Sequence, residues 1–191
     1  MNKRTVTLTN QQYIDILTTI KNGFSYAGRE YQPNERIATT LTLEANLGIR
    51  ISDILRLRFN DIIKDGERYR LNIVEIKTNK TRTFTVPEEI REFINQYRIR
   101  NKMSNEQKLF DLSERQIQKH LKAACDYLGL IGISTHSFRK YFATQIYINN
   151  DYNIELVRQL LQHSSTAVTQ RYIGIQQKQL ETALQNHIKL L

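Results

Sequence analysis

The sequence predicts a mainly α-helical domain that carries a small antiparallel β-sheet (an α+β fold). Three observations support this fold class. Glycine (7 residues) and proline (2 residues) are sparse, helix-type apolar periodicity recurs along most of the chain, and only residues 62–87 have a β-rich, alternating composition. A chain of 191 residues has the length of one ordinary domain, so we expect a single domain over 1–191.

Three helices are predicted before the sheet. The first follows a capping box that begins at Thr9, and its apolar stripe is Tyr13, Ile16, Leu17, Ile20 and Phe24. The second begins near Asn34 and stops at Gly48. Ser52 is expected to cap a short third helix that carries Ile54, Leu55 and Leu57. Arg50 therefore lies between two helices, where its side chain can project into a cleft.

The sheet is predicted to have two or three strands. Asp65-Gly66 is a turn signal, and the residues after it alternate in the way of a strand. Lys77 to Lys80 then form a basic turn, and Thr81 to Val86 resume the β-rich composition. We expect the side chain of Lys77 to extend from this turn between two strands.

Five helical segments and a tail are predicted after the sheet. Their expected first or capping residues are Pro87, Ser113, Ser134 or Thr135, Asn153, and Ser164 or Ser165. The third of these helices carries His136 and Arg139, the fourth ends just before His163, and the fifth holds Tyr172. Residues 175–191 form an amphipathic tail through Leu180, Leu184 and Ile188.

The composition favours a nucleic acid as partner. The formal net charge is +9 and the isoelectric point is near 9.7, a balance that attracts polyanions, although a basic protein without such a partner has the same charge. Cys125 is the only cysteine and lies among apolar residues, which predicts a buried, inert thiol and no disulfide. No stretch has the character of a membrane span or a signal peptide, so a cytoplasmic location is expected.

Five residues of four types predict chemistry on a phosphodiester. Arg50 and Arg139 offer paired donors to phosphate oxygens, and His136, one helical turn before Arg139, is suited to proton transfer. Tyr172 has a hydroxyl that can attack phosphorus, and Lys77 can protonate the departing 5′ oxygen. Each of these residues alone is more simply read as a core residue or a solvated surface residue.

Other chemistries have less support in the sequence. Asp53 lies one helical turn from Arg50 and can orient it or a histidine, but a carboxylate that only stabilises a helix N-terminus would look the same. There is no H-E-x-x-H motif, cysteine cluster or glycine-rich phosphate loop, so we expect neither a metal nor a nucleotide cofactor.

Four stretches together resemble the catalytic domain of the tyrosine recombinases, the phage integrase family. They are residues 45–57 (ANLGIRISDILRL), Lys77 in its turn, residues 135–143 (THSFRKYFA), and 161–165 (LQHSS) leading to 169–172 (TQRY). They occur in the order and spacing of the family and span most of the chain.

The resemblance implies a role for each residue. Arg50 and Arg139 are the two catalytic arginines, Lys77 is the general acid, and Asp53 is an acidic companion. The implied proton-transfer histidines are His136 and His163, and Tyr172 is the nucleophile that forms a 3′-phosphotyrosyl link with a free 5′ hydroxyl. The implied function is site-specific recombination of double-stranded DNA (integration, excision or inversion) without metal or ATP, on a synaptic tetramer of protomers.

Two departures from the family pattern and two rival functions stay open at this point. Gln162 stands where the family usually has glycine. The family also usually has an N-terminal DNA-clamping domain, so this chain is expected to be either a piece of a longer protein or a compact recombinase similar to the fimbrial-switch invertases. The tail can pack on a neighbouring protomer or on its own domain. The rival functions are strand relaxation in the manner of a type IB topoisomerase and non-catalytic DNA binding.

Overall fold

The computed structural model describes residues 5–77, 79–174, 185 and 187 and confirms the predicted fold class. The helices of this part of the chain are α1 (Asn10–Asn22), α2 (Glu35–Leu47), α3 (Ile51–Ile54), α4 (Glu88–Arg100), α5 (Glu114–Tyr127), α6 (Thr135–Asn149), α7 (Ile154–Leu161) and α8 (Thr166–Ile173). The chain forms two compact units, residues 1–142 and 143–191, which divide within α6. Most of the tail lies outside the described residues.

The strands form two separate antiparallel sheets. Strands β3 (Ile62–Asp65), β4 (Arg68–Val74) and β5 (Thr81–Val86) pair in that order, with Leu71 opposite Ile62 on one side and Phe84 on the other. A 3-10 turn, Phe59–Asp61, leads into β3. The second sheet is a hairpin of β1 (Phe24–Tyr26) and β2 (Arg29–Tyr31). The three-stranded sheet was predicted from the sequence and the hairpin was not.

Side-chain caps set most helix starts where the sequence predicts them. Thr9 and Gln12 form the complete capping box before α1, and Ser113 does the same for α5 with Gln116. Asn34 accepts the Ile37 N–H at the start of α2. Each cap satisfies backbone donors that have no partner within the helix, which is why these sequence signals located the helices well.

Two local predictions are corrected by the backbone. Phe24 was placed on the stripe of the first helix, but α1 ends at Asn22 and Phe24 starts β1, because Gly23 with φ +77° turns the chain. Ser52 was expected to cap the third helix, but Arg50 occupies that position, since its carbonyl accepts the N–H groups of Asp53 and Ile54 at 2.9 and 3.0 Å.

The first unit has two apolar cores, and helix α2 contributes to both of them. One face of α2 (Ile37, Leu41, Ala45) joins the core formed with α1 and α5. Another face (Leu43, Leu47) joins the core that includes Leu71 of the sheet and Ile94 of α4. The C-terminal end of α2 is thereby fixed on both sides, and the residues that follow it are held with little freedom.

The second unit contains α7 and α8, which pack against one another. Asn153 caps α7 by accepting the Leu156 N–H, and Ser165, one of the two predicted caps, does the same for Val168 at the start of α8. The buried residues of this unit include Val157, Leu161 and Ile173. No helix in the described part of the chain is long and apolar enough to cross a lipid bilayer.

Candidate active site

Arg50 follows a turn that only glycine can form. Gly48 ends α2 with φ +59°, and a Cβ at this position would lie 2.2 Å from Cδ1 of Phe142. Two residues later the Arg50 side chain, 19% exposed, donates from Nη1 to Oε2 of Glu75 at 2.6 Å. The guanidinium is therefore anchored on one side and still reaches the surface.

Glu75 binds a second arginine, which the sequence analysis did not single out. Its other oxygen, Oε1, lies 3.3 Å from Nη1 of Arg82, and that nitrogen also lies 3.3 Å from the Gly48 carbonyl oxygen. Glu75 is 1% exposed and Arg82 is 2% exposed. Burial, followed by the charge of Arg139, lowers the pKa of Arg82 to about 10 despite the favourable charge of Glu75. Arg82 therefore stays protonated at neutral pH.

Lys77 lies on the turn between β4 and β5 and is exposed. The turn is closed by the Asn79 N–H donating to the Glu75 carbonyl at 2.9 Å and by the Glu75 N–H donating to the Lys80 carbonyl at 3.0 Å. Asp53 accepts the Ile76 N–H at 3.0 Å. Asp53 thus fastens the lysine turn to α3, whereas the sequence prediction assigned it to orienting Arg50 or a histidine.

His136 and Arg139 lie on the first turn of α6, as predicted. His136 is exposed, whereas Arg139 is 3% exposed. Partial desolvation lowers the pKa of His136 from 6.5, and the charges of Arg139, Lys77 and Arg50 lower it further, with Glu114 acting in the opposite direction. Three of the predicted cationic residues therefore lie close enough to His136 to perturb it, and the imidazole is neutral at pH 7.

Glu44 is a second buried carboxyl in this region, and the sequence analysis did not identify it. It is fully buried on α2, and neither carboxyl oxygen has a hydrogen-bond partner among the described residues. Desolvation raises its pKa well above 4.5, and the charge of Glu114 acts in the same direction, whereas the charge of Arg139 opposes the shift. The direction of this shift favours a neutral carboxylic acid beside Arg139.

His163 and Tyr172 lie together in the second unit. Their ring centroids are 5.2 Å apart at an interplanar angle of 78°. Nδ1 of His163 lies 3.1 Å from Oγ1 of Thr169, which is fully buried and fixes the orientation of the imidazole. The six predicted catalytic residues therefore form two groups, with Arg50, Lys77, His136 and Arg139 in the first unit and this pair in the second.

Gln162 shows why glycine is common before His163. It ends α7 with φ +55° and ψ +38°, in the left-handed region, and its N–H and that of His163 satisfy carbonyls in the last turn of the helix. Arg158 also donates to the His163 carbonyl at 3.1 Å. The glutamine therefore keeps the turn, at a conformational cost that glycine would not have.

These groups are suited to bind an anion and to transfer protons. Arg50, Lys77 and Arg139 lie within electrostatic reach of the His136 imidazole, and this combination is suited to binding an anionic oxygen to which or from which a proton is transferred. No group of three or more histidine, cysteine or carboxylate side chains with metal-binding geometry occurs within the described ranges. Cys125 is buried, as predicted, and desolvation raises its pKa to about 12.

Comparisons with known proteins identify a family and relatives of this chain. A family model described as "Phage integrase family" matches residues 6–179. "Probable integrase/recombinase YoeC" of Bacillus subtilis (strain 168) is 34% identical over 137 residues, which are 68% of this chain and 72% of that protein.

Two solved structures share the fold. XerH site-specific recombinase bound to the palindromic difH substrate, in a post-cleavage complex, matches with a TM-score of 0.69 at 21% identity and covers 96% of this chain. The catalytic domain of bacteriophage HP1 integrase matches with a TM-score of 0.65 at 19% identity and covers 96% of both chains. The present chain spans 53% of the XerH chain, about half of its length.

Proposed function

This chain belongs to the phage integrase family, and on that premise we propose that it is a site-specific DNA recombinase that cleaves and rejoins strands through Tyr172. Its substrate is double-stranded DNA, on which protomers assemble as an oligomer in the cytoplasm. The observation that carries the proposal is the effect of Arg50, Lys77 and Arg139 on the single imidazole of His136. Positive charges near a neutral base suit the cleavage of a phosphodiester, in which negative charge increases on the phosphate and the attacking hydroxyl loses a proton.

The proposed reaction has two steps, cleavage and rejoining. Arg50 and Arg139 hold the non-bridging oxygens of the scissile phosphate while the Tyr172 hydroxyl attacks phosphorus and passes its proton to His136. The bond to the 5′ oxygen breaks, Lys77 supplies the proton for that oxygen, and a 3′-phosphotyrosyl link forms. The 5′ hydroxyl of a second strand then reverses these transfers, so the bond energy is conserved.

His163 and Asp53 have supporting roles in this proposal. The imidazole of His163, oriented by Thr169 and packed at the edge of the Tyr172 ring, stabilises charge that develops near the phenolic oxygen. Asp53 holds the turn that carries Lys77 through the Ile76 N–H.

A nicked suicide substrate tests the proposal. Because the target sequence is unknown, the probe is a pool of short duplexes with a randomised segment upstream of a fixed nick, which lets the cleaved 5′ end diffuse away. We expect an SDS-resistant protein–DNA adduct with the wild type and none with Tyr172→Phe. An adduct that persists in the mutant would place the nucleophile elsewhere, and relaxation of supercoiled DNA without strand exchange would identify a topoisomerase.

The variant Arg139→Ala separates catalysis from binding. Arg139 is 3% exposed, so it contributes little to the surface that DNA meets first but can stabilise the added charge of the transition state. We expect Arg139→Ala to slow adduct formation by about 100-fold or more while the Kd for the selected duplex changes by less than about threefold. Equal losses in rate and affinity would make Arg139 a binding contact and favour the non-catalytic alternative.

A further inference from the structure

We propose that Glu75 is a positioning residue for strand cleavage, acting through Arg50. The inference rests on the proposed function and adds to it a carboxylate that lies outside the six predicted catalytic residues. Glu75 is 1% exposed, so it does not meet DNA itself. Its side chain instead determines where the Arg50 guanidinium can lie.

The geometry of the cluster supports this role. Oε2 of Glu75 accepts from Nη1 of Arg50 at 2.6 Å, the shorter of its two arginine contacts, while Oε1 lies 3.3 Å from Arg82. One carboxylate thus bridges a buried arginine that is locked in place and an arginine that reaches the surface. Arg82 is itself near the Gly48 carbonyl, on the turn that leads to Arg50. Each member limits the movement of the others.

Charge explains why a carboxylate is needed here. Arg82 is affected by the charges of both Arg139 and Arg50, so two other guanidinium groups lie within electrostatic reach of Arg82. Their mutual repulsion favours separation, and it is strongest where water is excluded. The carboxylate of Glu75 contacts both Arg50 and Arg82 directly.

Glu75 also lies at the base of the turn that carries Lys77, but through its backbone. Its N–H and carbonyl close the turn with Lys80 and Asn79. A substitution of the side chain leaves these backbone bonds available. Changes in cleavage caused by Glu75→Gln therefore report mainly on Arg50, and only indirectly on the turn.

The experiment compares Glu75→Gln with wild type on a duplex selected from the suicide pool. We expect the adduct to form about 10- to 100-fold more slowly, while the Kd for the same duplex changes by less than about threefold. Glu35→Gln is the matched control, since Glu35 also pairs with an arginine, Arg100, at 2.7 Å but is exposed. The control is expected to cleave at the wild-type rate.

A second substrate distinguishes positioning from general disruption. A methylphosphonate at the scissile position lacks one anionic oxygen, so a guanidinium aimed at that oxygen contributes less to the rate. If Glu75 acts through Arg50, the loss caused by Glu75→Gln shrinks several-fold for one of the two methylphosphonate diastereomers. The same loss on all three substrates would overturn the proposal, as would a cleavage rate within about threefold of wild type on the phosphodiester.

Three outcomes complete the test. If Glu75→Gln does not fold because Arg82 is left buried without its anion, the double variant Glu75→Gln, Arg82→Met removes that charge and is judged by the same criteria. If the wild type forms no adduct that depends on Tyr172, the proposed function fails and the role of Glu75 fails with it. A Tyr172-dependent adduct that Glu75→Gln forms normally would overturn only the positioning role.

Discussion

Replacement of Glu44 by glutamine is expected to stabilise the protein increasingly as the pH rises. Glu44 is fully buried, and burial raises the pKa of its carboxyl well above 4.5. In the unfolded chain the same carboxyl ionises near its ordinary value and is well solvated. The stability contributed by the protonated carboxyl is therefore complete below the unfolded pKa and is lost as the pH rises through the folded pKa. Glutamine has a similar volume and does not titrate.

The size of this stability difference follows from the ionisation of one carboxyl group. Above the unfolded pKa, and until the folded carboxyl ionises, the wild type loses about 1.4 kcal/mol of unfolding free energy per pH unit relative to Glu44→Gln. For a chain of this length each kcal/mol corresponds to a Tm change of about 2–4 °C. The difference between the two proteins is smallest near pH 4.5, grows with pH, and becomes constant once Glu44 ionises.

Chemical denaturation at a series of pH values from 4.5 to 8 measures this difference directly. Glu35→Gln is again the control, because Glu35 lies on the same helix but its side chain is 49% exposed and pairs with Arg100. Its stability difference from wild type is expected to vary little with pH. A pH-independent difference for Glu44→Gln would refute the reasoning, because it would show that the Glu44 carboxyl titrates alike in the folded and unfolded states.

Three other predictions concern single residues. The pKa of His136 is lowered by desolvation and by neighbouring cations. The rate of adduct formation should therefore be constant near neutral pH and fall on the acidic side only below about pH 6.5. An acidic midpoint above that value would contradict the assignment of His136 as a neutral base. Gln162→Gly should raise the unfolding free energy of the second unit by about 0.5–1 kcal/mol, since Gln162 has φ +55°. Thermal unfolding of this variant at a lower temperature than the wild type would show that the Gln162 backbone is not strained. The Cys125 thiol, buried and with its pKa raised to about 12, should react with Ellman's reagent only after unfolding, and rapid reaction of the native protein would show that the α5 face opens.

Features set by local chemistry were predicted well. The capping box at Thr9, the cap at Asn34 and the turn at Asp65-Gly66 each use interactions between residues no more than a few positions apart. Such signals act in any fold, and they located α1, α2 and the β3–β4 turn. The order of Arg50, His136, Arg139 and Tyr172 likewise indicated the family.

Local reasoning failed where two signals competed or where the signal was short. The hairpin of β1 and β2 has three residues in each strand and mostly polar side chains, so its period-two pattern is too brief to recognise. Ser52 is a favourable capping residue, but the helix begins two residues earlier than that cap predicts, because the Arg50 carbonyl is held at the end of the turn after Gly48. Tertiary packing decided that boundary.

The sequence by itself determined the identity of the reactive groups, the fold class and the family. It did not reveal that Glu75, Arg82 and Glu44 are buried, because on a strand or helix these residues read as ordinary surface charges. Only the tertiary structure placed the carboxylate of Glu75, directly after β4, between arginines 25 and 7 residues away in the chain. Whether a charge is solvated, paired or neutral depends on the groups that surround it in space, and sequence separation carries almost no information about them.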